Sequence, residues 1–190
     1  ATIAQDGAAA AVGLDAQDRL CLDGQRLRLT SGAYGQPGSQ YQTEVETFSR
    51  VTAFGSAGAG PASFQVERLD GLVYQYGATD DSRIESQGST TARVWALNRV
   101  RDRSGNYIDF VYTEAAATGS YRPARVDYTG NMSTGSASYY SIRFAYEARA
   151  GGGAQPDRTA PRPCRHRRNA GDDDRRAGGR WPAGCLSAGH

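Results

Sequence analysis

Arg19-Leu-Cys-Leu-Asp23-Gly24-Gln-Arg-Leu-Arg-Leu29 sets two alternating runs on either side of an Asp-Gly pair. A two-residue hairpin loop selects that dipeptide because both of its positions need positive φ. The register follows from the loop. Leu20 stands opposite Leu27, Leu22 and Leu29 join them on one face, and Arg19, Arg26 and Arg28 share the other with Cys21. Hydrophobic pattern and turn chemistry agree, so the segment reads as an antiparallel hairpin with one buried face.

Two more turns extend the pattern. Asp70-Gly71 joins Ser63–Leu69 to Leu72–Tyr76. A two-residue loop there places Leu69, Leu72, Tyr74 and Tyr76 on one face and Phe64, Val66 and Val73 on the other. A sheet apolar on both faces is expected to be covered on both sides. Ser104-Gly105-Asn106 joins Ala92–Asp102 to Tyr107–Thr113, grouping Leu97 with Ile108, Phe110 and Tyr112, and Val94 and Val100 with Tyr107 and Val111. Short strands are also expected at Tyr41–Phe48, Val51–Phe54, Arg122–Tyr128 and Tyr139–Tyr146, with Gly- and Ser-rich loops at Gly55–Gly60 and Thr129–Ser138. Repeated short strands with turn signals define an all-β fold, here antiparallel hairpins and a meander from a larger β body. The Ala-rich Ala1–Ala16 segment, interrupted by Gly7 and Gly13, reads as an irregular lead-in.

After Ala150 this pattern stops. Residues 151–190 hold one Leu (Leu186) and one Trp (Trp181) and no Ile, Val, Phe, Tyr or Met. Such a composition does not offset the chain entropy of folding, so the organisation expected is a β domain over residues 1–149 and a disordered tail over 150–190. The shift to Arg, Ala, Gly and Pro, whose codons begin with G and C, also fits a shifted-frame translation from about Ala150 onward.

All 22 basic residues are Arg, and the net charge is +2. Residues 1–150 carry 14 Arg against 16 acids and residues 151–190 carry 8 against 4, so the basicity belongs to the tail. That balance gives no strong attraction to nucleic acid, and no apolar run is long enough to span a bilayer. Three cysteines, Cys21, Cys164 and Cys185, make no disulfide framework. Residue 1 is Ala and the only methionine is Met132, so the N-terminus is expected to be a cut end.

Several blocks, in order, carry a resemblance: Ala1-Thr-Ile-Ala-Gln-Asp-Gly7, Asp18-Arg-Leu-Cys-Leu-Asp-Gly-Gln-Arg-Leu27, Tyr41-Gln-Thr-Glu-Val-Glu-Thr-Phe48, Arg93-Val-Trp95 and Val126-Asp-Tyr-Thr-Gly-Asn131. Over residues 1–149 the chain resembles the SpvB-type domain of bacterial toxin proteins, named for the Salmonella virulence plasmid B protein. Asp102-Arg-Ser-Gly-Asn106 with Phe110-Val-Tyr112, and Arg125-Val-Asp-Tyr128, also look like a degenerate Rhs/YD repeat. The resemblance implies an internal slice of a β-walled shell that encloses a toxic segment, in a protein made in the bacterial cytoplasm and secreted. Partners would be the parent's other domains and its toxin-complex or Rhs-type subunits, with no cofactor, no nucleic acid and no membrane insertion by this segment.

No catalytic, cofactor-binding or metal-ligating residue is assigned. Glu44-Val45-Glu46 has the Glu-x-Glu form of ADP-ribosyltransferases, the alternative function. In that enzyme pattern a Ser-Thr-Ser element precedes the carboxylates, whereas Ser89-Thr90-Thr91 follows them here. Glu-x-Glu also arises on any strand with one solvated face, since residues i and i+2 point the same way. Cys164, His166, Cys185 and His190 are potential zinc ligands in number, but their spacing fits no usual pair. The Arg162–Arg168 stretch looks like a nucleic-acid-binding tail, yet only Trp181 is there to stack on bases. Cys21 sits among arginines with no base nearby, which favours ordinary packing, and no histidine precedes His166 to serve a Ser/His/Asp site.

Overall fold

A computed structural model describes residues 13–14, 18–115, 118–147 and, for the backbone, 185–189. Among these residues the fold is all-β and antiparallel. Strands β1 (Arg19–Leu22), β2 (Gln25–Ser31), β3 (Gln40–Thr43), β4 (Arg50–Ala57), β5 (Gly60–Glu67) and β6 (Val73–Tyr76) pair in sequence order. A 3-10 turn at Asp80–Ser82 leads to β7 (Arg83–Glu85) and the long β8 (Ala92–Arg101), followed by β9 (Asn106–Ala115), β10 (Ser120–Asn131) and β11 (Tyr140–Arg143). One strand, β12 (Cys185–Gly189), lies where the sequence reading placed none. The rest of 150–190, including Cys164, His166 and Arg162–Arg168, lies outside the described residues, as do 1–12.

β8 organises the sheet. Its first half pairs with β7 and β12, and its second half with β6 and β9. Through β6, β8 and β12 the pairings return to β1, closing a circuit of eight strands. β9, β10 and β11 continue outward from β8 as a three-stranded wing.

The first hairpin forms as its sequence predicts. Cys21 pairs with Arg26 and Leu22 with Gln25 around Asp23-Gly24, whose φ values are +52° and +78°. Leu20, Leu22 and Leu27 are buried, while Leu29 runs past the core and is exposed.

The second hairpin differs by one residue. Phe64 pairs with Tyr76, and Val66 with Tyr74, so these four gather on one face, and Val73 falls on the other, opposite Glu67. The loop has three residues, Leu69–Gly71, closed by the Arg68 N–H to the Leu72 carbonyl at 3.2 Å, with Gly71 at φ +80° and Leu69 exposed. Cover on both sides is therefore not needed here.

A bulge corrects the third. Tyr76 pairs with Leu97, Gln75 with Arg99 and Tyr74 with Val100, so Asn98 is an extra residue and Leu97 and Val100 fall on the same side. The buried Asn98 side chain accepts the Ala78 N–H at 3.1 Å. Val100 thus joins Leu97 against the core, opposite Ile108, instead of siding with Tyr107. Several boundaries shift as well: β10 runs on to Asn131, into the expected Thr129–Ser138 loop, and β11 stops at Arg143, short of Tyr146. β3 ends at Thr43, short of Phe48, and Gly55–Gly60 is a hairpin closed by a turn at Gly58-Ala59 rather than an open loop.

The core lies inside the circuit: Leu20, Leu22, Leu27, Tyr41, Val51, Phe64, Val66, Tyr76, Trp95 and Leu97 form one cluster. Edge-to-face aromatics run through it, Tyr34 to Tyr41 (5.3 Å), Tyr41 to Phe64 (6.5 Å) and Phe64 to Trp95 (5.0 Å). The polar atoms of these rings are used: Trp95 Nε1 donates to the Pro61 carbonyl (3.0 Å), and Ser39 Oγ donates to the Tyr41 hydroxyl (2.7 Å).

Candidate functional site

A cleft of about 150 Å³ opens at one end of the closed circuit, between the β1–β2 turn, the end of β3 and the β5–β6 turn. One wall is a row of hydroxyls, with Thr43 Oγ1 and Thr47 Oγ1 2.8 Å apart and Thr47 donating to Ser49 Oγ at 3.0 Å. On the opposite wall Arg68 pairs with Asp23 at 3.3 Å and lies over the Tyr74 ring at 4.5 Å. Gln25 Oε1 and Arg68 Nε line the same cleft as buried atoms with no hydrogen-bond partner. These groups can hold a small polar molecule. Thr47, Ser49 and Asp23 line the cleft together with Gln25 and Arg68.

Glu44 and Glu46 leave the end of β3 on the β3–β4 connection, and both are exposed. The Glu46 carboxylate accepts the Phe48 N–H, a local turn contact. Their alternation is therefore not that of a strand face, because the strand has already ended. Thr91 lies at the far end of β4, where its hydroxyl accepts the Ala59 N–H at 3.2 Å. Eight residues of β4 separate the two places, roughly 25 Å at about 3.3 Å per residue. The structure does not bring the Glu-x-Glu pair and the Ser89–Thr91 cluster together. Cys21 is buried in β1, and its thiol approaches the Arg19 carbonyl at 3.8 Å. His190 and the side chain of Cys185 lie outside the described residues, and those residues contain no cluster of ligands able to hold a metal.

What the structure does bring together is a pair of sequence blocks in the wing. The Asp102 carboxylate accepts the Asn106 N–H (2.9 Å) and its side-chain amide (2.8 Å), closing the β8–β9 turn. Asn131, at the end of β10, donates to Asn106 Oδ1 (2.7 Å) and to the Ser104 carbonyl (3.2 Å). Gly130 lets the Tyr107 ring lie flat on its backbone, since a Cβ there would sit 2.2 Å from the ring. Arg99 lies over that ring at 4.3 Å while its guanidinium forks onto Asp109 (2.5 and 2.8 Å). Asp109 holds the Arg99 proton more tightly than usual through this bond. These polar blocks act as a clasp.

The wing's outer strand is open. β11 pairs with β10 on one side, and among the described residues nothing pairs with its other edge. Tyr139, Tyr140, Ile142 and Tyr146 are exposed there at 73, 57, 50 and 47 %. Tyr140 stacks on Tyr128 (5.8 Å), and Arg122 covers the Tyr146 ring (4.6 Å). Sequence reading placed a strand here but had no signal that its residues face solvent.

These features define an all-β domain built as a closed strand circuit with a clasped wing. Among solved structures, part of the chain is similar to the N-terminal domain of effector protein SpvB from Salmonella typhimurium strain LT2, at 16% identity and a TM-score of 0.45. The match covers 57% of this chain and 44% of that one, so the chain spans less than half of that domain's length. No protein-family model matches, and neither does any curated protein.

Proposed function

We propose that this chain is a structural, non-enzymatic segment of a β-walled shell in a secreted bacterial toxin protein of the toxin-complex or Rhs type. The open, aromatic outer edge of the wing carries the reading. A strand bearing Tyr140 and Ile142 half exposed, beside Tyr139 and Tyr146, is what a wall segment presents when the adjoining wall is not beside it. The ordered blocks from Asp18 to Asn131 that resemble the SpvB-type domain point the same way. One of them, Val126–Asn131, is clasped through Asn131 onto the Rhs/YD-like Asp102–Asn106 turn, a positioning role rather than a chemical one. In this reading the effector chemistry belongs to other domains of the parent, and the partners are those domains and the shell's other subunits.

Hydrogen exchange tests it. The amides of Tyr140–Arg143 that face away from β10 should exchange freely in this chain. They should become at least about a hundredfold slower in a longer product expressed with its flanking coding sequence, where a neighbouring strand covers them. Equal exchange in both proteins would overturn the shell assignment.

A further inference from the structure

The connections that frame the cleft at the end of the circuit set apolar side chains in water. Phe48, on the β3–β4 connection, holds φ at +53°, a left-handed conformation that a bulky side chain adopts only under strain. The Glu46 carboxylate accepts its N–H and helps to hold it there. The Phe48 ring contributes little to the core, being 68 % exposed. It stands in sequence between Thr47 and Ser49, both of which line the cleft. Leu69, beside the cleft residue Arg68, is 74 % exposed, and Val45 is exposed on the same connection as Phe48. A strained backbone that displays an aromatic ring next to a polar cleft is a feature of binding sites rather than of folding.

The polar interior selects the ligand's chemistry. Gln25 Oε1 and Arg68 Nε are buried and have no partner among the described residues. The first can only accept a hydrogen bond and the second can only donate one. The hydroxyls of Thr43, Thr47 and Ser49 can do either, and the bonds between them use only part of that capacity. A ligand that meets these groups must donate and accept several times over. Charge is not called for. Arg68 is already paired with Asp23, so an added ion would lose its hydration against a group that is neutralised. The Tyr74 ring, 4.5 Å from the guanidinium, fixes Arg68 further, so its position is set before anything binds. The volume of about 150 Å³ suits a single six-membered ring.

We propose that the cleft binds one ring of a neutral hexopyranose. Its hydroxyls bond to Gln25 Oε1, Arg68 Nε and the Thr47 and Ser49 hydroxyls, and its apolar C–H face lies against Phe48. Sugar hydroxyls supply mixed donors and acceptors without charge, and the C–H face packs on an aromatic ring as other apolar groups do. The site makes no use of the wing's open edge, so it stands or falls apart from the shell reading.

The test titrates the isotope-labelled full chain with the methyl glycosides of glucose, galactose and mannose and follows the amide resonances. At least one sugar should saturate with an affinity on the order of millimolar, as a single small ring allows, and should shift the amides of Gln25, Thr47, Ser49 and Arg68. Phe48→Gly separates binding from folding. Glycine relieves the strain, so this variant should unfold at no lower urea concentration than the unmodified chain, yet bind at least about tenfold more weakly. Thr47→Val, which removes one hydroxyl at similar shape, should weaken binding by about the same factor. No saturable shift with any of the three sugars, or shifts confined to other parts of the chain, would overturn the assignment. So would unchanged affinity in either variant, or equal affinity for methyl glucuronide, which adds a carboxylate.

Discussion

The closed circuit and the wing use the same kind of strand for opposite ends. In the circuit, Tyr41, Phe64, Tyr76 and Trp95 are all within 2 % of full burial, and their rings interlock edge to face. In the wing, Tyr140 of the outer strand and its neighbours Tyr139 and Tyr146 are half exposed or more, and the order comes from the polar clasp of Asp102, Asn106 and Asn131. Tyrosine is therefore not a core signal in itself. Its ring is buried where strands close around it and exposed where the sheet stops, and closure is decided by pairings distant in sequence, such as β6 with β8.

The difference is broken most severely at Trp95. Its ring packs on Phe64, donates to the Pro61 carbonyl and covers Gly77, where a Cβ would come within 2.3 Å. Trp95→Ala is expected to cost about 3–5 kcal/mol in urea unfolding, the range for large aromatic deletions in a packed core. Tyr140→Ala on the wing should cost under about 0.5 kcal/mol, as an exposed side chain does. Equal costs would mean that the two regions share one core.

What the sequence could reveal follows the range of the interaction that fixes each feature. Asp23-Gly24 was legible because a two-residue turn and an alternating pattern agree within eleven residues. Asp70-Gly71 has the same dipeptide but a three-residue loop, with Gly71 alone at positive φ. Asp-Gly serves both geometries, and the choice is made by packing Phe64 and Val66 beside Tyr74 and Tyr76. The Asn98 bulge carried no local mark either. It exists to satisfy the Ala78 N–H and to keep both Leu97 and Val100 on the core. The clasp's residues were visible in two separate blocks, Asp102–Asn106 and Val126–Asn131, but their mutual contact, across 25 residues between Asn106 and Asn131, was not.

A sharper cut separates the wing from the circuit. Gly130→Ala inserts a methyl into the Tyr107 ring, displacing it from under Arg99. The expected cost is about 1–3 kcal/mol, the usual range for overpacking, and it should fall on the wing. Hydrogen exchange should accelerate in β9 and β10 while Val51, Val66 and Leu27 stay protected. Uniform acceleration would show that the wing and the circuit unfold as one unit.

High pH probes the circuit through Tyr34. Burial pushes its hydroxyl up to about 12, although the Leu20 N–H that it accepts at 2.6 Å acts in the other direction. The neutral form is the native one, and the unfolded chain releases this proton near pH 10. Between about pH 10 and 12 the unfolded state binds fewer protons than the native state, so stability falls as pH rises through that window. Tyr34→Phe is expected to be less stable at pH 7, having lost the acceptor for Leu20, yet to show a shallower decline above pH 10. An unchanged slope would mean that Tyr34 ionises as freely when folded as when unfolded.

The smallest effect on stability should be the most visible in solution. Tyr140→Lys with Ile142→Lys replaces two half-exposed apolar residues on the open edge by charges. Neither residue is in the core, so the unfolding free energy should move by less than about 0.5 kcal/mol. Association is another matter. An unpaired strand edge with apolar side chains is a template for pairing with another chain, and lysines at such an edge oppose it by desolvation cost and mutual repulsion. The unmodified chain should sediment with a concentration-dependent, rising average mass, and the double variant should stay monomeric over the same range. If the unmodified chain is already monomeric at high concentration, the open edge is harmless by itself. If both chains associate alike, the contact lies elsewhere, and the exposed wing is not what distinguishes this surface from the closed circuit.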